Sequence, residues 1–192
     1  MSGRVFIIHR WSGNPKSDWY PWLKSELEAF GYEVLIPEMP ETDEPKIEKW
    51  VGKLKESVGS SGIKEGDYFV GHSIGCQTIL RYFETLPSFV KCSGVLFVAP
   101  WMHLQGIEEE EGAKEIAMAW IEEKVDFSKV RKIGKNFVCL FSDNDSYVPL
   151  SDKDIFRENL GAKIIVLHEK GHFTKDDDCV ELPEAFDSFL KL

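Results

Sequence analysis

Short apolar runs of strand length alternate along the chain with longer segments in which apolar residues recur at helical spacing. Six such runs predict β-strands, at residues 5–9, 33–36, 68–71, 94–99, 137–142 and 163–168. Strands that alternate with helical segments are typical of a parallel sheet covered by helices on both faces. Because crossover connections of this length are right-handed, we predict an α/β fold with a doubly wound sheet of about six parallel strands.

Several segments between the strands carry the apolar stripe of an amphipathic helix. Residues 17–30 predict a helix, with Ser17 or Asp18 as its capping residue and Gly31 at its end. Two further stripes consist of Ile47, Trp50, Val51, Leu54 and Val58, and, near the C-terminus, of Leu182, Ala185, Phe186, Phe189 and Leu190.

The pattern is weakest between residues 100 and 135. This segment contains an acidic run at residues 108–111 and a candidate helix at residues 113–123. We interpret the acidic run as a solvated surface, and the alternative is that the segment caps a binding cleft.

Length and charge narrow the class of protein. The 192 residues, of which 43% are hydrophobic, fit a single domain, 1–192. A formal net charge of −10 opposes binding to nucleic acid or to an anionic membrane surface. The apolar run at residues 5–8 is shorter than a signal-peptide core, and no run approaches the roughly 20 residues of a membrane span, so we expect a cytoplasmic protein.

The four cysteines are widely spaced. They form no CxxC pair of the kind that zinc or thioredoxin chemistry uses, and they are too sparse for a disulfide framework. We therefore predict buried free thiols at Cys76, Cys92, Cys139 and Cys179.

The sequence Gly71-His72-Ser73-Ile74-Gly75 sets one serine between two glycines, directly after a predicted strand and before a helical segment. The chain must turn sharply at Ser73, and the glycines leave room for that turn. The turn presents the hydroxyl above the sheet edge and places the amide of Ile74 at a helix N-terminus, where it can stabilise an oxyanion. This arrangement is the nucleophile elbow of α/β-hydrolases, and we expect His72 to point away from the nucleophile.

A nucleophilic serine in this fold requires an acid and a histidine, which follow it in that order. Asp143 and Asp145 come after the fifth predicted strand, and His172 lies in a loop after the sixth. Because parallel strands end at one edge of the sheet, these side chains are expected to meet there. We predict Ser73 as the nucleophile, His172 as the general base and Asp145 as the acid that orients it, whereas His168 is interpreted as a packed or hydrogen-bonded strand residue.

Two positions compete for the role of the acid. Asp145 is preferred because it stands three residues before Val148-Pro149, in the D-x-x-V-P pattern that carries the acid in many hydrolases of this fold. The alternative is Asp143, whose simpler role is to cap the turn. A calcium loop is rejected, since Val148 stands where such a loop requires glycine.

The negative oxygen of an acyl-transfer intermediate needs two hydrogen-bond donors. The amide of Ile74 is one candidate, and the amide of Trp11, in the loop after the first strand, is the other. Similar enzymes have glycine where this chain has Arg10, and arginine disfavours a positive φ. The Arg10 side chain is either exposed to solvent or within reach of a substrate carboxylate.

Aromatic residues stand next to each predicted catalytic loop. Trp11, Trp101, Tyr147 and Phe173 are candidates for the walls of an acyl pocket. Packing inside the core is the alternative role, and the sequence leaves both open.

Four motifs are spread through the chain: the early segment IIHRWSGNPKSDWYPWLKSEL, the elbow GHSIG, the acid loop SDNDSYVP and the terminal GHF. Together they resemble the small serine hydrolases of the retinoblastoma-binding protein 9 family. The resemblance implies a compact α/β-hydrolase fold with a minimal lid, and hydrolysis of small carboxylic esters or related acyl compounds without a metal or organic cofactor. The retinoblastoma-pocket motif L-x-C-x-E is absent, since Asp177 stands where leucine is required. The family's name is therefore no basis for predicting that this chain binds the retinoblastoma protein.

Two classes of function are open at this point. One is a serine hydrolase that forms an acyl-enzyme with a small-molecule acyl substrate, and thioesterase or amidase chemistry would use the same residues. The other is an interaction protein that keeps the fold without catalysis, because a fold alone does not determine activity. The presence of Ser73, Asp145 and His172 together favours the first.

Overall fold

The described part of the chain, residues 3–107 and 112–192 of a computed structural model, contains a parallel sheet of six strands. Their order across the sheet is β2-β1-β3-β4-β5-β6. The strands are β1 (Arg4–Ile8), β2 (Glu33–Leu35), β3 (Tyr68–His72), β4 (Gly94–Val98), β5 (Phe137–Ser142) and β6 (Lys163–Leu167). The predicted doubly wound sheet is confirmed, and the predicted strands differ from the observed ones by at most one residue at either end.

Six of the seven helices in the described residues pack in two groups, as expected for a sheet covered on both faces. The helices are α1 (Tyr20–Ala29), α2 (Ile47–Val58), α3 (Ile74–Glu84), α4 (Ala113–Glu122), α5 (Phe127–Ile133), α6 (Asp152–Leu160) and α7 (Pro183–Phe189). α1 contacts α7, whereas α2, α3, α5 and α6 contact one another in a row. The sequence pattern predicts all of these helices except α5 and α6, and the acidic run at residues 108–111 lies outside the described residues.

Helix α1 begins later than the pattern predicts, at Tyr20 rather than at residue 17. Neither Ser17 nor Asp18 caps it with a side-chain hydrogen bond, because the Asp18 carboxylate pairs instead with Arg10, at 2.8 Å. Gly31 has a φ of 86°, the left-handed conformation expected where the chain leaves a helix.

Burial is deepest in the middle of the sheet. β4 is buried along its whole length, whereas the edge strand β6 is partly exposed. All four cysteines are buried and free, as predicted, and burial raises the pKa of the Cys92 and Cys179 thiols to about 12. None of the helices in the described ranges has both the length and the apolar character that crossing a membrane requires.

All the strands run in one direction, so the loops that follow β1, β3, β5 and β6 lie at the same edge of the sheet. Two of these loops stay bonded to the neighbouring strand. The amide of Ser73 donates to the carbonyl of Val98 at 2.9 Å, and the amide of Asp143 donates to the carbonyl of Leu167 at 3.0 Å. These bonds fix the starting points of the loops that carry the candidate site.

Candidate active site

Ser73 occupies a strained turn between β3 and α3. Its backbone has φ 53° and ψ −119°, a conformation that residues other than glycine rarely adopt and that is often found at functional sites. Helix α3 begins at the next residue, so the amide of Ile74 belongs to its first turn. The turn places Ser73 at the carboxyl edge of the sheet, with 6% of its surface exposed.

The two glycines beside Ser73 are required by close packing. A Cβ atom at Gly75 would overlap the carbonyl of Ile8 in β1, and one at Gly71 would lie 2.8 Å from the backbone of Cys76 in α3. Real Cβ atoms essentially never come that close to other atoms. The glycines therefore let α3 pack directly against β1 and β3, and this packing determines where Ser73 lies.

Ser73 and His172 lie on the wall of the same cavity, which has a volume of about 410 Å³. This volume falls in the lower part of the range for small-molecule sites. Charged groups on the wall include Arg10 and Asp176. Apolar side chains form another part of it, namely Trp11, Ile74, Trp101, Leu104, Ile107 and Tyr147.

The ring of His172 is bonded to the carboxylate of Asp145. Nδ1 of His172 lies 2.8 Å from Oδ2 and 3.1 Å from Oδ1 of Asp145. Oδ1 also accepts hydrogen bonds from the amides of Tyr147, at 2.8 Å, and Val148, at 3.0 Å. Because a carboxylate accepts, Nδ1 carries the proton that is shared with Asp145, and Nε2 is left as the nitrogen that can accept a proton from a reacting group.

Between the hydroxyl of Ser73 and the ring of His172, no hydrogen bond forms among the described residues. The two side chains share the cavity wall, and they are 6% and 8% exposed as residues. Hydrogen bonds between a nucleophile and its base often tighten only when substrate is bound. The structure therefore brings Asp145 and His172 into contact and brings Ser73 to the same cavity.

Asp143, the competing acid, pairs with a different histidine. Its Oδ2 lies 2.7 Å from Nδ1 of His168, and its Oδ1 accepts from the amide of Glu169 at 2.9 Å. His168 follows β6 instead of lying within it, and its side chain is 78% exposed. The hydrogen bond to Asp143 raises the pKa of His168 and lowers that of Asp143. The two aspartates thus contact two different histidines, and only Asp145 contacts His172.

Asp177 holds the loop that carries His172, and the sequence patterns did not single it out. Its Oδ2 accepts from the amide of His172 at 2.9 Å and from the amide and hydroxyl of Thr174 at 3.1 and 2.7 Å. A Cβ at Gly171, where φ is 53°, would overlap the Asp177 carboxylate. The signal available in the sequence is the spacing Thr174-x-x-Asp177, which is that of a capping box.

The candidate oxyanion donors lie in two different loops. The amides of Trp11 and Ile74 make no hydrogen bond within the described residues, and both residues line the cavity. The indole of Trp11 donates to the carbonyl of Asp43 at 3.0 Å, which holds this residue in place. The positions with positive φ in this loop are Ser12, at 50°, and Asp18, at 51°, so Arg10 does not have to adopt the conformation that arginine disfavours.

The Arg10 side chain is held in an ion pair instead of being free in solvent, and Arg10 also lines the cavity. Its guanidinium pairs with Asp18 at 2.8 Å and donates to the carbonyl of Trp11 at 3.0 Å. Burial lowers the pKa of Arg10, but the hydrogen bond and charge of Asp18 outweigh burial and raise the pKa above its ordinary value. Asp18 also accepts from the amide of Lys175 at 2.8 Å, so this ion pair connects the loop after β1 with the loop that contains His172.

Trp101 and Tyr147 line the cavity as expected, but Phe173 does not. Phe173 is 0% exposed and belongs to the hydrophobic core. Its backbone, directly after His172, is left-handed, with a φ of 59°. The expectation that Phe173 lines the acyl pocket is therefore wrong, and its ring packs inside the hydrophobic core.

The segment after β4 supplies part of the cavity wall. The amide of Gln105 donates to the carbonyl of Tyr147 at 2.9 Å, and its side-chain amide donates to the carbonyl of Asp145 at 3.2 Å. These bonds connect Gln105 to the loop that carries Asp145, and Leu104 and Ile107, on either side of Gln105, line the cavity. Trp101, Leu104 and Ile107 thus form one side of the cavity.

Two proteins of similar sequence carry the name of a hydrolase. YdeN of Bacillus subtilis (strain 168), named as a hydrolase, is 28% identical over 187 residues, which are 97% of this chain and 94% of YdeN. The crystal structure of the ydeN gene product matches with a TM-score of 0.85 and 26% identity, over 98% of this chain and 97% of that one. Serine hydrolase RBBP9 of Rattus norvegicus is 22% identical over 156 residues, which are 81% of this chain and 77% of RBBP9.

More distant structures share the fold. Est1E from Butyrivibrio proteoclasticus, in a structure with bound ferulic acid, matches with a TM-score of 0.72 and 15% identity, over 98% of this chain and 88% of Est1E.

The family model described as serine hydrolase matches residues 5–191 of this chain, nearly its whole length. The chain therefore belongs to the serine hydrolase family and has an α/β-hydrolase fold.

Proposed function

We propose that the protein hydrolyses small carboxylic esters or related acyl compounds, with Ser73 as nucleophile, His172 as general base and Asp145 as the orienting acid. The observation that carries the proposal is the buried hydrogen bond between Asp145 and His172, on a ring that shares its cavity with Ser73. In this arrangement Asp145 holds the tautomer of His172 in which Nε2 can accept a proton.

The reaction would proceed through a covalent acyl-enzyme. The Ser73 oxygen attacks the carbonyl carbon of the ester while its proton passes to Nε2 of His172. The negative oxygen that results accepts hydrogen bonds from the amides of Ile74 and Trp11. The alcohol then leaves with the proton from His172, and water, activated by the same ring, releases the acid and restores the serine.

The cavity favours short or compact acyl groups. Its volume of about 410 Å³ and its walls of Trp101, Tyr147 and Leu104 suit an apolar group of limited size. The fold neighbour Est1E was crystallised with ferulic acid, a compact aromatic acid, and this supports including aromatic esters among the substrates to be tested.

We also propose that the protein belongs to the narrower retinoblastoma-binding protein 9 family. The motifs of the sequence and the similarity to the rat protein support this assignment.

Steady-state kinetics on a panel of p-nitrophenyl esters and matched thioesters test the proposal. We expect the highest kcat/KM for short acyl chains, and a fall of roughly 10⁴- to 10⁶-fold in kcat for Ser73→Ala. Ser146→Ala is the matched control, because Ser146 also lines the cavity but has no proposed chemical role. Equal losses in the two variants, or no turnover of any ester by the parent protein, would refute the assignment.

A further inference from the structure

The ring of His72 is fully buried beside the candidate triad, and the proposed mechanism gives it no role. Its Nε2 lies 2.8 Å from the backbone carbonyl oxygen of His172, and its Nδ1 lies 2.6 Å from the hydroxyl of Tyr20. The Tyr20 oxygen in turn lies 3.1 Å from the amide nitrogen of Arg10. Tyr20 and His72 are both 0% exposed, so water cannot readily replace any of these partners.

The direction of each hydrogen bond in this chain follows from the chemistry of its groups. A carbonyl oxygen only accepts, so the His72 ring carries a proton on Nε2 and donates it to His172. In the neutral ring Nδ1 is then an acceptor, and it receives the hydroxyl proton of Tyr20. A backbone amide only donates, so the Tyr20 oxygen accepts from Arg10. The bonds therefore run in one direction, from Arg10 through Tyr20 and His72 to His172.

The surroundings keep His72 neutral, as this arrangement requires. Burial lowers the pKa of His72 well below the ordinary value of histidine, and positive charge on His172 lowers it further. The centroids of the two rings are 5.4 Å apart. A protonated His72 would lose the acceptor at Nδ1 and would place a second positive charge beside the ring that becomes an imidazolium during the proposed reaction.

We propose that Tyr20 and His72 are positioning residues that hold the His172 loop and the loop of Arg10 in a fixed relation to Ser73. The inference rests on the proposed function, since it assigns to these residues the orientation of that triad. His72 directly precedes Ser73 in the chain, and its ring is hydrogen-bonded to the backbone of His172, the proposed general base. One residue therefore connects the nucleophile with the base. The same series of bonds reaches Arg10, next to the candidate oxyanion donor.

Removal of the tyrosine hydroxyl tests the role with the smallest change of volume. In Tyr20→Phe we expect kcat to fall about 10- to 100-fold while KM stays within about threefold, because substrate still binds but the catalytic groups are misplaced. Tyr82→Phe is the matched control: Tyr82 is a tyrosine of α3, 2% exposed, whose ring packs against Phe69 and lies outside the chain of bonds. It should leave both constants unchanged.

Two replacements of His72 separate positioning from simple packing. The amide nitrogen of glutamine can reproduce the Nε2 donor, whereas the shorter asparagine side chain reproduces only the Nδ1 position. We expect His72→Gln to keep at least about five times the kcat of His72→Asn, because only glutamine can still donate to the His172 carbonyl. Equal kcat values in the two folded variants would contradict the positioning role.

NMR of the histidine side-chain nitrogens tests the arrangement in the parent protein, without any variant. We expect the Nε2–H tautomer of His72, because its Nε2 faces the backbone carbonyl of His172. Suppose that Ser73 of the parent protein reacts with a fluorophosphonate. An Nδ1–H tautomer of His72, or an unchanged kcat in Tyr20→Phe, would then overturn the positioning proposal and leave the proposed function standing. A parent protein whose Ser73 does not react would refute the proposed function as well.

Discussion

The Asp145 carboxylate and the His172 ring form a buried pair in which 2.8 Å separates Oδ2 from Nδ1. The two residues follow different strands, β5 and β6. The amide of Tyr147 donates to Asp145, and the amide of His172 donates to Asp177, so each partner of the pair has a second hydrogen bond. The pair therefore reaches the cavity with a defined orientation. The proposed chemistry depends on this orientation more than on any other contact.

Replacement of either aspartate by asparagine distinguishes the two candidate acids. Asp145→Asn should lower kcat about 10³- to 10⁴-fold, because an amide no longer favours the tautomer of His172 that leaves Nε2 free to accept a proton. Asp143→Asn should change kcat less than about threefold, since Asp143 contacts His168 and Glu169 instead. Ester kinetics on the two purified variants measure the difference. The reverse order would assign the acid to Asp143.

The pair of His168 and Asp143 gives a prediction about pH. Because Asp143 raises the pKa of His168 while its own pKa is lowered, the pair stabilises the fold fully between the ordinary pKa values of the two groups. Its contribution is lost as pH rises through the raised pKa of His168, or falls through the lowered pKa of Asp143. In an NMR titration, Asp143→Asn should lower the pKa of His168. An unchanged titration would show that the pair does not form in solution.

The ion pair of Arg10 and Asp18 should stabilise the fold. The Asp18 side chain is 1% exposed, and its removal leaves the Arg10 charge without the carboxylate that it pairs with. We expect Asp18→Ala to lower the free energy of unfolding by about 2 to 3 kcal/mol, less than for a fully buried pair because Arg10 keeps some contact with water. Glu56→Ala, which breaks the exposed pair with Lys53, should cost less than about 1 kcal/mol in the same urea titration. Similar values for the two variants would contradict this role.

Two glycines of the chain should respond to alanine in opposite ways. Gly75→Ala places a Cβ against the carbonyl of Ile8, so we expect a loss of about 3 kcal/mol or more in unfolding free energy, together with loss of activity. Gly52 lies inside α2 with nothing within 4 Å of an added Cβ. Gly52→Ala should therefore raise the unfolding free energy by about 0.5 to 1 kcal/mol. Denaturant titrations of both variants check the prediction.

The sheet could be predicted from the sequence because buried parallel strands appear as short apolar runs. Three helices, α1, α2 and α7, could be predicted because their apolar residues recur at helical spacing. Helix α6 lacks that stripe, since its first turn is Asp152-Lys153-Asp154 and only Phe156 and Leu160 are buried apolar residues. Helix α5 buries only Val130 and Ile133, too few positions for a helical period to show. These two helices depend on contacts with the rest of the fold more than on local pattern.

Chain order was enough to place Ser73, Asp145 and His172 as candidates at one sheet edge, because the order of parallel strands fixes where their ends lie. The burial of Phe173 in the core was not predictable, since local sequence did not show the left-handed backbone at that residue. The bonds of His72 join residues 52 and 100 positions apart, a separation at which local sequence carries no signal. Such contacts are visible only in the folded chain.

The nucleophile is tested most directly by treating the native protein with a fluorophosphonate and mapping the modified peptide by mass spectrometry. We expect one adduct, on Ser73, and none in Ser73→Ala, whereas Ser146→Ala should be labelled like the parent. Labelling should also be much slower in His172→Ala, because the serine then has no base. An adduct on another residue, or a parent protein that stays unmodified, would contradict a Ser73 nucleophile.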